Sequence, residues 1–172
     1  MRNILSPPKV MTFSATDPTG GAGLQADILT LASMYCHPIS ITTAITVQDT
    51  KGVESVVPLD AQLLKQQAMT VLNDVSVSVF KLGLLGSLEN IKTVSNILTS
   101  YPDIPVVIDP ILTSGRGDIL MNEEMKEAMI RLLFPKATLI TPNSIEVRKL
   151  VCNGNESFEN VSIKAGINRL FN

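Results

Sequence analysis

Charge is scarce in this chain, and what there is does not gather. Fourteen basic and sixteen acidic side chains in 172 residues leave a formal net charge of −2, and the longest basic cluster is the isolated pair Arg148-Lys149. Without a basic face there is no electrostatic footprint for nucleic acid, so small-molecule chemistry is the expected business. Cysteine is also sparse. Cys36 and Cys152 have neither metal-ligand spacing nor the density of a disulfide scaffold, so they read as small apolar residues in keeping with a reducing cytoplasm. The single histidine, His37, reads as a structural residue at a helix end. No apolar run approaches the roughly 18 uncharged residues of a membrane span. Pro7 and Pro8 interrupt the opening stretch MRNILSPPKVMTFSA before it can take signal-peptide form. The expectation is a soluble, cytoplasmic, single domain over residues 1–172, with no nucleic-acid or membrane partner.

What the chain does have is apolar content, 45% against 17% charged residues, arranged in short, nearly continuous runs rich in β-branched residues. These fall at Val10–Phe13, Ile39–Val47, Val77–Leu82, Val106–Ile108 and Thr138–Thr141. Strands buried on both faces read this way. Between them, helical spacing appears at Leu24–Tyr35, Asp60–Leu72, Leu88–Leu98, Glu123–Phe134 and Ser144–Leu150. Asp60, Ser87 and Asn122 each stand where they can cap the helix that follows. The alternation predicts right-handed βαβ crossovers and an open, mostly parallel α/β sheet with helices on both faces. Gly52–Pro58 (GVESVVP) reads as an additional short strand, either a surface hairpin or the edge of a flap or dimer.

Residues Asp17–Asp27, DPTGGAGLQAD, lie between the first strand and the first helix. Gly20, Gly21 and Gly23 allow positive φ and a close approach of ligand to backbone, while the N–H groups opening the helix can hold polar or anionic groups. Asp27 lies near the start of that helix, where a carboxylate benefits from the helix dipole. The segment Gly21–Ala26 also satisfies the G-x-G-x-x-G/A dinucleotide pattern, and Asp49 follows the second strand where a ribose-binding acid would sit. A nicotinamide-binding domain is therefore a rival reading. Against it, the polar loop Ala15–Thr19 separates the strand from the glycines, whereas the dinucleotide fingerprint needs a tight turn directly after the strand. The Lys-Ser/Thr pair of a P-loop is absent as well.

Five motifs in order, DPTGGAGLQAD, TAITVQDTKGV, KLGLLGS, VVIDPILTSGRGD and LITPNSIEV, resemble the hydroxymethylpyrimidine and phosphomethylpyrimidine kinases of thiamine biosynthesis, which have the ribokinase-like fold. The resemblance runs from about Lys9 to Leu150. It implies transfer of the γ-phosphate of ATP to 4-amino-5-hydroxymethyl-2-methylpyrimidine and then to its monophosphate; pyridoxal is a related alternative substrate. On that likeness the pyrimidine lies over the glycine loop. Asp27 and Gln48 bond its ring nitrogens and amino group, and Ala15, Ala22, Leu84 and Ile111 supply its walls. An acid and an amide at fixed geometry suit a heterocycle that both donates and accepts. The Asn-x-x-Glu spacing of Asn143 and Glu146 is implied to order Mg²⁺ and its waters near the nucleotide. Asp109 is placed to add charge at that ion, and Arg116 to face phosphate. The bland reading of these last groups is a helix cap, a strand-end acid and a solvated loop cation. The likeness also implies a homodimer.

The sequence departs from the family pattern in two respects. Ser114-Gly115-Arg116-Gly117 alters the spacing of the loop after VVIDP. The Lys-Gly-Gly-His-like segment and the Gly-Thr-Gly-Asp or Gly-Thr-Gly-Cys motif, which supplies the anion hole and the expected base, are not among the 172 residues. The expectation is a single incomplete ribokinase-like domain, its sheet truncated after about the fifth or sixth strand. Its catalytic base would lie beyond Asn172, leaving catalysis incomplete because phosphoryl transfer depends on positioning and charge stabilisation. A non-catalytic pyrimidine-binding module is the alternative. The closing run SIKAGINRLF has helical spacing and little to cover.

Overall fold

A computed structural model describes residues 6–151. Its elements are β1 (Lys9–Thr16), α1 (Gly23–Ser33), β2 (His37–Gln48), β3 (Val53–Pro58), α2 (Ala61–Leu72), β4 (Val79–Leu82), α3 (Leu88–Ser100), β5 (Val106–Ile108), α4 (Glu123–Leu132), a 3₁₀ turn at Phe134–Lys136, β6 (Leu139–Ile140) and α5 (Ser144–Val151). Each strand and helix read from periodicity is present. The boundaries of β4 and β6 contract by one or two residues at each loosened end. The expected terminal helical run and Cys152 lie outside the described residues.

The six strands form one sheet in the order β3-β2-β1-β4-β5-β6. Every pairing is parallel except that of β3, which returns antiparallel along β2. The sequence already forces this difference. Only four residues separate β2 from β3, enough for a hairpin, whereas each parallel pair is bridged by a helix-bearing crossover.

Register places large apolar residues in a row across the sheet. Ile41, Phe13, Leu82, Ile108 and Ile140 are successive partners on β2, β1, β4, β5 and β6. They belong to one core with Met11, Phe80, and residues of α2, α3 and α4. Phe80 is fully buried and packs tilted against Phe13 and edge-on against Tyr101, with ring centroids 6.1 and 6.2 Å away. Burial of each such side chain contributes about 1.5–3 kcal/mol. Alternation along β1 sends Thr12 to the opposite face, where it bonds Asp27 of α1, so α1 covers that face.

The three expected caps close. Asp60 accepts from the Gln62 and Leu63 N–H groups at 3.0 Å, Ser87 from Asn90 at 3.1 Å, and Asn122 from Met125 at 2.9 Å. The start of α1 differs, because Ala22 stands at its cap position and offers no side-chain acceptor. Its first N–H groups remain directed toward the loop and the carboxyl ends of β1 and β2. Among the described residues, no helix is long and apolar enough to cross a membrane.

Candidate ligand and phosphate site

The glycine loop is organised by Asp17, which the sequence reading did not single out. One carboxylate oxygen accepts from the Thr19 N–H and hydroxyl, each at 2.8 Å, and the other from the Ala22 N–H at 2.8 Å. Gln25 returns its amide oxygen to the Asp17 N–H at 2.8 Å. Burial pushes the Asp17 carboxyl up, but hydrogen bonds from Thr19, Ala22 and Gln48 outweigh it and hold the group below its ordinary value. The D-P-T spacing of an Asx turn is the signal that would have found it. Gly23 has φ +58°, and a Cβ there would overlap the Ala15 carbonyl oxygen. Only glycine lets the start of α1 come this close to the end of β1.

Beside this loop, at the carboxyl ends of β1, β2 and β4, is a cavity of about 190 Å³. Its lining includes Ala15, Ala22, Gln48, Leu84 and Ile111 together with Asp17, Gly23 and Thr46, and is completed by Val53, Thr113, Ser114, Gly115 and Leu120. Five of the six residues expected around the pyrimidine therefore gather at one cavity. Open α/β sheets collect ligands at this end of their strands. The volume falls below the roughly 300–1,000 Å³ of pockets for drug-sized ligands, which suits one small ring.

Asp27 is placed elsewhere. It is the fifth residue of α1 and does not line this cavity. Its carboxylate is engaged by the Lys81 ammonium at 3.1 Å and the Thr12 hydroxyl at 2.6 Å. The physical reason is the lysine: an otherwise apolar β4 carries one cation at Lys81, mostly buried, and a buried charge requires a partner. The isolated Lys in KLGLLGS was a readable sign of that pairing.

Asp109 follows β5 and lies within electrostatic reach of Lys81 and Asp27. Burial pushes its carboxyl up, more than the Lys81 charge pulls it down. Asn143 and Glu146 do come together, as a capping box at the start of α5. The Asn143 side-chain oxygen accepts from the Ile145 and Glu146 N–H groups at 2.9 Å, while Glu146 accepts from the Asn143 N–H at 2.8 Å. Burial first raises the Glu146 carboxyl, and the neighbouring charge of Asp109 raises it further, against the hydrogen bonds from Asn143 and Leu112. Arg116 is not beside them. It lies at the β2–β3 hairpin, 62% exposed in its side chain, and pairs with Asp118 at 3.2 Å. Among the described residues, no group of three or more His, Cys, Asp or Glu converges as a metal cluster.

A mostly parallel sheet of this order, with a small-ring cavity by a glycine-rich strand-to-helix loop and an acidic patch further along the same end, defines a ribokinase-like α/β protein. Residues 17–170 match the family described as phosphomethylpyrimidine kinase, and the chain belongs to that family. It is 37% identical over 146 residues to the hydroxymethylpyrimidine/phosphomethylpyrimidine kinase of Streptomyces coelicolor, covering 85% of this chain and 54% of the relative. With the enzyme of the same name from Staphylococcus aureus it shares 32% identity over 147 residues, 86% of this chain and 53% of the relative. It thus spans about half the length of these curated relatives. Among solved structures, the phosphomethylpyrimidine kinase of Clostridium difficile superposes with a TM-score of 0.82 at 32% identity, covering 95% of this chain and 70% of that one. A pyridoxal kinase from Staphylococcus aureus, in complex with AMP-PCP and pyridoxal, gives 0.80 at 30% identity, covering 97% and 59%.

Proposed function

We propose that the cavity beside the glycine loop holds 4-amino-5-hydroxymethyl-2-methylpyrimidine, and that the chain contributes substrate binding to an ATP-dependent kinase acting on this alcohol and its monophosphate. The observation that carries the reading is the convergence of Ala15, Ala22, Gln48, Leu84 and Ile111 on one small cavity. Gln48 supplies an amide that both donates and accepts, which a ring with amino and imine nitrogens requires. The apolar walls exclude water and fix the ring plane. Asp17, although at the cavity, is a poor proton acceptor, because its lone pairs are taken by the loop and its carboxyl is held low. We therefore assign the described cavity to binding and orientation, not to deprotonation of the attacking hydroxyl.

ATP would supply the transferred phosphoryl group. The acidic patch suits its cation: Asp109 and Glu146 are both raised by burial, and Glu146 is raised further by Asp109, so a positive ion would relieve them. The side chains of Asn143 and Glu146 are already engaged in the cap, which leaves few direct donors. A hydrated Mg²⁺, which keeps several of its waters, fits such a set through Asp109 and Glu146, with Asn143 holding Glu146 in place. When bound, the ion would neutralise phosphate charge. We place the protein in a reducing cytoplasm, consistent with free Cys36, and propose a homodimer in which a second copy covers Ile45, Val47 and Val57, each about half exposed beside the edge strand β3.

Calorimetric titration of the chain with hydroxymethylpyrimidine, followed by an ATP-consumption assay, tests the reading. Binding without turnover is the expected result. Tighter binding of pyridoxal would shift the substrate to the other vitamin, and turnover that is lost in Asp17→Asn while binding is kept would refute the structural role given to Asp17.

A further inference from the structure

The segment after β5 folds back on itself. Thr113 and Ile119 form an antiparallel bridge. The Gly117 N–H donates to the Ser114 carbonyl at 2.9 Å, and Gly117 turns the chain at φ +101°. Near the end of this loop the Asp118 carboxylate gathers donors from its own loop and from one distant segment. The Ser114 hydroxyl lies at 2.7 Å and the Arg116 guanidinium at 3.2 Å, while the Val53 N–H, 65 positions away in the chain, lies at 3.2 Å. The Ser114 hydroxyl bond, then that from Val53, keeps the Asp118 carboxyl below its ordinary value, so it is an ionised acceptor at neutral pH.

Val53 is where β3 begins, and it is the sheet partner of Gln48, just past an irregularity in the β2–β3 ladder between Val47 and Gln48. Such an irregularity leaves the pairing of Gln48 less constrained than that of a regular ladder position. The outward N–H of an edge strand also has no strand to receive it. Asp118 supplies that acceptor. Val53 and Gln48 of the hairpin line the cavity, as do Ser114, Gly115 and Leu120 of the loop, and Val53 and Ser114 meet on one oxygen of Asp118. The Arg116 side chain also lies against the hairpin, since a Cβ at Gly52 would stand 2.7 Å from the guanidinium carbon.

We propose that Asp118 is a positioning residue for ligand recognition. Its carboxylate clamps the loop Thr113–Ile119 to the start of β3, fixing Val53 and its sheet partner Gln48 beside the loop so that the joined cavity lining grips a planar, hydrogen-bonding heterocycle. The role rests on the reading of this cavity as the pyrimidine site. Asp118 acts through Val53 and Ser114 and need not touch the ligand. Arg116, mostly exposed, only adds charge at the second carboxylate oxygen.

The test combines amide exchange at Val53 with calorimetric titration of hydroxymethylpyrimidine, with pyridoxal as a second probe, on the wild type, Asp118→Asn and Asp118→Ala. Asp118→Ala is expected to exchange its Val53 amide about tenfold faster and to bind the pyrimidine about tenfold more weakly, the loss of one hydrogen bond to a charged acceptor. Asp118→Asn keeps an acceptor oxygen and should recover part of both. Unchanged exchange at Val53 in Asp118→Ala would mean there is no clamp. Faster exchange with unchanged affinity would remove the positioning role while leaving the pyrimidine reading in place. A wild type that binds neither the pyrimidine nor pyridoxal would overturn that reading and the positioning role with it.

Discussion

Replacing Gly23 with alanine should damage the protein far more than the same change at Gly20, although both glycines have positive φ. Gly20 has φ +78° and no atom within 4 Å of the position a Cβ would take. Its substitution costs only the left-handed backbone conformation, about 1–2 kcal/mol. Gly23, at φ +58°, bears the same cost, and its Cβ would also overlap the Ala15 carbonyl oxygen and lie 3.3 Å from the Asp17 nitrogen. Both neighbours are backbone, so neither can rotate away. Relief requires α1 to move off the end of β1, which disturbs the Asp17 bonds to Thr19, Ala22 and Gln25. Overpacking adds about 1–3 kcal/mol, giving a total of about 2–5 kcal/mol against about 1–2 at Gly20. Urea unfolding followed by far-ultraviolet circular dichroism would measure the difference, and the pyrimidine titration would follow the cavity walls Ala15 and Ala22. Equal losses at the two positions, with affinity retained in Gly23→Ala, would refute the close-approach reasoning.

Other outcomes follow from the same geometry. Asp27→Ala leaves the mostly buried Lys81 ammonium without its carboxylate and should lower stability by about 1–3 kcal/mol in urea; a double change with Lys81→Met should recover much of it, as replacing a whole pair is far milder than breaking one. Ser14→Ala removes a buried hydroxyl that has no partner among the described residues and should leave stability equal or raise it by about 1 kcal/mol, seen as a higher urea midpoint; a drop would mean the hydroxyl is satisfied. Asp109 and Glu146 have native carboxyls raised above 3.8 and 4.5, so the folded chain holds more protons than the unfolded one between those values and the raised ones. Stability from these groups should therefore fall as pH rises through that window, and Asp109→Asn should flatten the fall. Millimolar Mg²⁺ should raise the melting temperature near neutral pH, where the carboxylates are ionised, and do little in acid or in Asp109→Asn.

The pattern of apolar runs, caps and glycines determined the element order and the mostly parallel sheet, because these depend on backbone conformation and side-chain periodicity within short stretches; it left the strand at Gly52–Pro58 open between a hairpin and a flap or dimer edge, and the structure pairs it antiparallel with β2. Five of the six residues expected around the ligand line one cavity, since each stands beside a strand end or at the start of α1, which local pattern had already located. What it did not determine was which charged groups meet. Asp27 reads as a ligand residue at a helix start, yet it pairs with Lys81, 54 positions away, once the parallel register of β1 and β4 sets the two on one face. Asn143 and Glu146 read as ion ligands, and their spacing serves equally as a cap. Asp118 ends the motif VVIDPILTSGRGD without being singled out, and only the folding of its loop against the hairpin brings Val53 to it. Local conformation is written in neighbouring residues, whereas a buried charge takes whichever partner the packed strands and loops leave within reach, and that is decided by tertiary structure.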